Sequence, residues 1–406
     1  MGKIQKVKIT LFKMLTKLLL FYLTGVAHIE HLREKLFTNY SSVDLDNNKI
    51  DLGLNLAIRS LNKVDHVEGT VDSNIWLRYY WKDERLSWNM DEYNYSNIVI
   101  NTDPNIGNNI WTPDIYLYNT AEKPLERLSY TSAVLYSNGD IIWSRPGMIK
   151  ATCLFNLEKF PYDTQSCYFK FGSWSYDGNM IELYTKNNID LTNFKQGEEW
   201  KIISTNEKVE IKIYECCPEP YHAIYFEFEI ERMPHYYVRN IIVPIFATSS
   251  LLVMSMMIPW ESGERISFTT TIMLSIIVFL LILSDNLPKT NDIPIMSTLV
   301  VGLMFFSLAV VFTTVLLSSM RNMHSKNSFI GKHIYKLILK FRLKCQTVEG
   351  DAIRKRSISY NEALDEIVTN KFDDTCVRYS EYIENITTLI FTFVFVIYCL
   401  VAIFII

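Results

Sequence analysis

The sequence predicts a membrane protein of two parts: an extracellular all-β sandwich, immunoglobulin-like with a short N-terminal helix, and a four-helix transmembrane bundle. Three observations predict it. A basic leader opens the chain, with Lys3, Lys6, Lys8, Lys13 and Lys17 ahead of the apolar run 18–26. From residue 49 to about 232, apolar and polar side chains alternate. Four long apolar stretches then follow, at about 237–259, 266–284, 295–318 and 383–406. The expected division is a signal peptide at 1–27, an extracellular domain at 28–235, and three transmembrane helices within 236–320. A cytoplasmic loop with an amphipathic helix at 321–382 and a fourth transmembrane helix at 383–406 complete it.

Each element has its own reason. The leader's apolar run ends at Gly25-Val26-Ala27, whose small residues suit cleavage after Ala27; it is short for a first transmembrane helix, the other reading of such a run. Ile29, Leu32, Leu36 and Phe37 recur at helical spacing and predict a short amphipathic helix. Ile50, Leu52, Leu54, Leu56 and Ile58 alternate with polar or small residues, as do Ile224, Phe226, Phe228 and Ile230 with Tyr225, Glu227, Glu229 and Glu231. Period two means one buried and one wet face. Turn signals such as Ser137-Asn138-Gly139-Asp140 punctuate the strands. Many short strands of this kind predict an antiparallel sandwich. Asn39 and Asn94 head glycosylation sequons that suit an extracellular surface.

Each apolar stretch is about long enough to cross a hydrocarbon core as a helix. The loop after the third is basic (Arg321, Lys326, Lys332, Lys336, Lys340, Arg342, Lys344, Arg354, Lys355, Arg356) and so belongs in the cytoplasm. Three crossings from an exported N-terminus put it there, and put the third sequon, at Asn385, out of reach of glycosylation. Within 360–382, Ala363, Ile367, Phe372 and Cys376 form the apolar face of a helix leading into the fourth span.

Charge is close to balanced, 40 Lys and Arg against 44 Asp and Glu, which offers no overall basic surface for nucleic acid. No cluster of metal ligands or nucleophiles stands out, so no metal, cofactor or enzymatic activity is expected. Of seven cysteines, four (Cys153, Cys167, Cys216, Cys217) precede the first span, and an even set in an exported domain suggests disulfides.

The second apolar stretch is unlike an ordinary lipid-facing helix. At 3.6 residues per turn, Glu264, Ser267, Thr271, Leu274, Val278, Leu281 and Asp285 share one stripe. Acid, hydroxyl, hydroxyl, three apolar residues, acid is an order suited to water. Several copies around an axis would place carboxylate rings at both mouths, a narrow hydroxyl-lined filter and an apolar constriction that closes by dewetting. The other reading is a packing helix whose hydroxyls bond its neighbours.

Cys153 and Cys167 enclose thirteen residues, 154–166, including Phe160-Pro161-Tyr162-Asp163 and Gln165. This pattern resembles the signature loop of the Cys-loop pentameric ligand-gated channel superfamily, and the resemblance extends over nearly the whole chain. Within it, the chain is most similar to nicotinic acetylcholine receptor subunits of α type. Trp111-Thr112-Pro113-Asp114-Ile115-Tyr116-Leu117-Tyr118-Asn119 resembles the first binding loop, with Tyr118 at its aromatic position. Gly172-Ser173-Trp174-Ser175-Tyr176-Asp177-Gly178 resembles the second, centred on Trp174. Tyr214-Glu215-Cys216-Cys217-Pro218-Glu219-Pro220-Tyr221 resembles the third, with the adjacent cysteines that mark α subunits.

The resemblance implies disulfides Cys153–Cys167 and Cys216–Cys217. It also implies an aromatic box of Tyr118, Trp174, Tyr214 and Tyr221 that the Cys216–Cys217 loop caps. For any one of these rings, core packing is the other reading. A quaternary ammonium donates no strong hydrogen bond but is attracted to aromatic faces, best to Trp, by about 0.5–2 kcal/mol each. The complementary face is expected on 76–83, with Trp81 completing the box from a neighbouring subunit and Ile142 and Ser144 beside it.

Anion channels of the superfamily usually carry Pro-Ala before the inner-mouth basic residue. This chain has Ser262-Gly263-Glu264-Arg265, with Arg265 expected to point away from the lumen. Acid rings at Glu264 and Asp285 then select cations, Na+, K+ and possible Ca2+. Coupling of binding to gating is expected through Asp163, Arg232 and the 286–294 loop, with His66 standing where relatives carry the acid that pairs with Arg232. The implied protein is an acetylcholine-gated cation-channel subunit of a homo- or hetero-pentamer in the plasma membrane, synaptic, with membrane lipid around it. Choline, serotonin or another amine as agonist, or an accessory subunit that needs partners to conduct, are the alternatives.

Overall fold

The computed structural model describes residues 28–43, 49–103, 109–121, 128–259, 262–288, 294–321 and 381–402. The expected signal peptide, the basic loop with its amphipathic helix, and the last four residues of the fourth span lie outside the described residues. The chain forms two compact units, Met1–Asn156 with Thr164–Met233, and Leu157–Asp163 with Pro234–Ile406.

The first unit is the sandwich, preceded by a helix at 28–37 whose Leu32 and Leu36 are buried. One sheet has six strands in the order β3-β5-β6-β2-β1-β8 and the other four, β4-β7-β10-β9. The first holds β1 (Ile50–Asp65), β2 (Thr70–Lys82), β3 (Asn97–Ile100), β5 (Ala133–Tyr136), β6 (Asp140–Thr152) and β8 (Ile181–Thr185). The second holds β4 (Ile115–Leu117), β7 (Thr164–Ser173), β9 (Trp200–Tyr214) and β10 (Cys217–Arg232). Alternation explains the register. On β2, odd-numbered Val71, Ser73, Ile75, Leu77, Tyr79 and Trp81 are buried while the even positions face outward. On β10, Ile224, Phe226, Phe228 and Ile230 face in, pairing through β7 with Phe169 and Phe171.

β1 departs from the expected one-wet-face pattern: Leu52 to Ile58 are all buried. β8 and the segment after it continue the sheet along the edge of β1, and the Tyr184 ring of β8 lies over Gly53 on the second face. Asn55 Nδ2 donates to the Asn188 carbonyl at 2.9 Å, and Asn55 Oδ1 accepts from Arg78 at 3.0 Å. Cys153 and Cys167 are bonded with Cα atoms 5.3 Å apart, and Cys216 is bonded to Cys217. Asn39 and Asn94 both sit exposed with left-handed backbones (φ 66° and 56°), each just past a short helix.

Among the described residues, the second unit holds four helices long and apolar enough to cross a membrane: His235–Met257, Arg265–Asp285, Ile295–Ser318 and Glu381–Ala402. Pro244 in the first has no N–H to donate, and a widened π-helical turn at Val238–Ile242 immediately precedes the α-helix it joins. The fourth helix packs by Phe391 and Phe395 on Phe306, and the Tyr398 hydroxyl donates to the Leu299 carbonyl. Residues Leu157–Asp163, from the tip of the disulfide loop, belong to this helical unit. The Phe160 ring packs 4.8 Å from Tyr237, and the Glu158 carbonyl accepts from the Ile295 amide at 3.0 Å.

Candidate functional site

An aromatic pocket lies at one end of the four-stranded sheet. β7 ends at Ser173, and Trp174 follows on a loop that Asp114 braces from both sides. Ser173 Oγ donates to Asp114 Oδ1 at 2.6 Å, and the Ser175 amide to Asp114 Oδ2 at 2.7 Å. The braced loop leaves the Trp174 indole 70% exposed, an unusual state for so large an apolar ring. The β9–β10 hairpin brings Tyr214 and Tyr221 together, ring centroids 5.6 Å apart and edge-on, with the Cys216–Cys217 bond at its turn. Tyr118 donates from its hydroxyl to the Ser173 carbonyl at 2.5 Å. Burial, chiefly, and then the neighbouring Tyr214 and Asp114 raise its pKa to about 12, so it remains a donor at neutral pH.

These four rings and Tyr116 line a cavity of about 410 Å³. Tyr116, whose ring lies 5.6 Å from Trp174, was not singled out from sequence. It shares strand parity with Tyr118, two positions on, and that parity is the signal for it. The pocket admits little slack. A Cβ at Gly172 would lie 2.6 Å from the Tyr118 ring. Gly172→Ala is therefore expected to displace Tyr118 and weaken any organic cation held by these rings several-fold, read by competition with a labelled quaternary ammonium.

The complementary face needs a correction. Trp81 is 4% exposed and packs edge-on against Trp111 in the sandwich core, so it offers no ring to a neighbouring subunit. The physical reason is parity: residues five apart on a strand face opposite sides. The outward tryptophan on β2 is Trp76, 36% exposed, with Tyr80 on the same face. Beside it on β6, Ile142 is paired with Tyr80, Ser144 with Arg78 and Pro146 with Trp76, so Ile142 and Ser144 do share its outward face.

In the helical unit, Glu264, Ser267, Thr271, Leu274, Val278, Leu281 and Asp285 are all exposed, Leu274 at 61%. Arg265, Thr269, Ile272, Ile276 and Leu283 form the buried side of that helix. Arg265 is ion-paired with Glu384 of the fourth helix, away from the exposed stripe. Thr271 Oγ1 donates to the Ser267 carbonyl at 2.8 Å, and Ser275 Oγ to the Thr271 carbonyl at 3.0 Å.

Of the expected coupling residues, Asp163 is buried in the helical unit and Arg232 in the sandwich. Arg232 donates to Glu199 at 2.9 Å and lies 4.2 Å over the Trp200 ring. Glu199 belongs to no motif that would single it out in the sequence. His66 sits in the β1–β2 turn, which Asp65 organises by accepting from the Val67 and Glu68 amides. Most of the 286–294 loop lies outside the described residues.

Residues 29–234 match the family described as neurotransmitter-gated ion-channel ligand binding domain, and 241–376 the neurotransmitter-gated ion-channel transmembrane region. The chain belongs to the neurotransmitter-gated ion channels. Within that family it is similar to the mouse neuronal acetylcholine receptor subunit alpha-6, 35% identical over 303 residues, or 73% of this chain and 60% of the relative. The chicken neuronal acetylcholine receptor subunit alpha-2 is 33% identical over 297 residues, 71% of this chain and 55% of the relative. The Caenorhabditis briggsae acetylcholine receptor subunit alpha-type acr-16 is 33% identical over 273 residues, 66% of this chain and 54% of the relative. The chain thus spans 60% or less of the length of these relatives. Membership in this channel family, rather than in any enzyme family, agrees with the adjacent cysteines and the four spans. It makes the chain a multi-pass plasma-membrane protein with its sandwich extracellular.

Proposed function

We propose that this chain is a subunit of a pentameric, acetylcholine-gated, cation-selective channel. The observation that carries the proposal is the convergence of Tyr116, Tyr118, Trp174, Tyr214 and Tyr221 on one cavity of about 410 Å³, beside the Cys216–Cys217 turn. Such a box holds a quaternary ammonium by cation–π attraction where no carboxylate is needed. In a pentamer, Trp76, Ile142 and Ser144 of a neighbouring copy or related subunit would close it. Agonist stabilises whichever state binds it better, and that differential affinity opens the pore.

In the proposed pore, Glu264 and Asp285 supply acid rings for Na+, K+ and Ca2+, and Leu274, Val278 and Leu281 the apolar constriction. Asp163, Arg232 and His66 are proposed as coupling residues. Voltage-clamp recording from cells expressing the chain tests the reading. Acetylcholine is expected to evoke an inward current that vanishes when sodium is replaced by a large impermeant cation. A current that persists under that exchange and follows chloride would overturn the selectivity. Current only with a second subunit would make the chain an accessory partner. Current to choline or serotonin but not acetylcholine would change the agonist.

A further inference from the structure

The Trp76 ring already carries a cation. The Arg59 guanidinium lies 4.3 Å from the centroid of the Trp76 ring. Its placement is built into the backbone, because the β1–β2 register shifts between Ile58, paired with Ile75, and Ser60, paired with Asn74. Arg59 is the extra residue of that bulge, and bulges re-aim the side chain they carry. Its carbonyl accepts from the Lys195 amide at 2.7 Å, which fixes the bulge from the far side. The neighbouring cation on the same face is neutralised: Arg78 is ion-paired with Asp190 at 3.0 Å. Among the described residues Arg59 forms no ion pair, and its charge is turned to the indole.

We propose that Arg59 is a specificity-determining residue of the complementary face, an internal competitor for the agonist's cation. The proposal rests on the reading of Trp76 as that face's aromatic ring. An aromatic face attracts one cation through its quadrupole, and a second positive charge brought to the same ring meets the first at short range. A monovalent ammonium reaching Trp76 must displace Arg59 or bear its repulsion. Agonist affinity is thereby held below what the aromatic box alone would give.

The test is displacement of a labelled antagonist by acetylcholine and by tetramethylammonium, on cells whose surface receptor is quantified for every variant. Arg59→Ala is expected to strengthen both cations by about two- to thirtyfold, the range one cation–π contact spans. Arg59→Lys, which keeps a cation over the ring, should stay near wild type. In a Trp76→Ala background, Arg59→Ala should have no effect. If Trp76→Ala alone leaves both cations unchanged, the reading of this face fails. If Trp76→Ala weakens them but Arg59→Ala does not strengthen them, the competitor proposal fails and the face survives. Weaker binding in Arg59→Ala would overturn it in the other direction, making Arg59 a donor to the ligand.

Discussion

Glu384→Ala is expected to destabilise the helical unit by about 3–5 kcal/mol, the cost of breaking a buried ion pair by removing one member. Arg265 is almost wholly buried between the second and fourth spans, and Glu384 is its carboxylate partner. Removing the acid takes that carboxylate from a buried guanidinium that cannot shed its proton. The replacement of both residues by apolar ones, Arg265→Met with Glu384→Leu, should recover most of the loss, because the desolvation cost disappears with the charges. Thermal unfolding of detergent-purified protein reads both outcomes. A single variant as stable as wild type would mean that Arg265 finds water or another acid once Glu384 is gone. The pair also has a directional effect. Glu264 precedes Arg265 by one residue, about 100° around the helix, so anchoring Arg265 turns Glu264 away from the fourth span.

Trp174→Ala is expected to raise the half-effective agonist concentration about thirtyfold or more, the equivalent of a desolvated cation–π contact of about 2 kcal/mol. The free protein should barely notice, since the indole is 70% exposed and contributes little to the core. That contrast makes the variant informative: surface amount unchanged, affinity lost. Trp174→Phe, with a weaker ring quadrupole, should fall between. An unchanged agonist response with Trp174→Ala would remove the aromatic box from the proposed function.

The sandwich was legible because it rests on a periodicity that burial enforces, and the spans because each is an apolar run long enough to cross a hydrocarbon core. Phe226 and Phe228 alternate with glutamates, and the core takes the aromatics. The stripe from Glu264 to Asp285 follows from the helical repeat, and its residues are exposed in the single chain, as are Ile266, Phe268 and Ile282 off it. The complementary ring was misread because resemblance fixed a segment, 76–83, but not which of its two tryptophans faces out. Counting parity from buried Tyr79 would have placed Trp81 inside and Trp76 outside. Other partners were out of reach of sequence. Glu199 meets Arg232 across 33 positions and Glu384 meets Arg265 across 119, and nothing local at either acid points to its arginine. The Asp114 brace behind Trp174 is of the same kind: its residue stood in a motif, but its task depends on a loop 60 residues on.

In the proposed pore, the hydroxyls of Thr271 and of Ser275, one turn on from it, each spend their proton on a carbonyl one turn back. What such an oxygen has left to offer is lone pairs. Ringed around an axis, these groups would form a corridor of acceptors with no hydrogens to give. A sodium or potassium ion shedding part of its hydration there would find oxygens to replace the lost water. Chloride would find none of the donors it requires, so the corridor is expected to discriminate by hydration chemistry even where the charged rings at its ends are screened by salt.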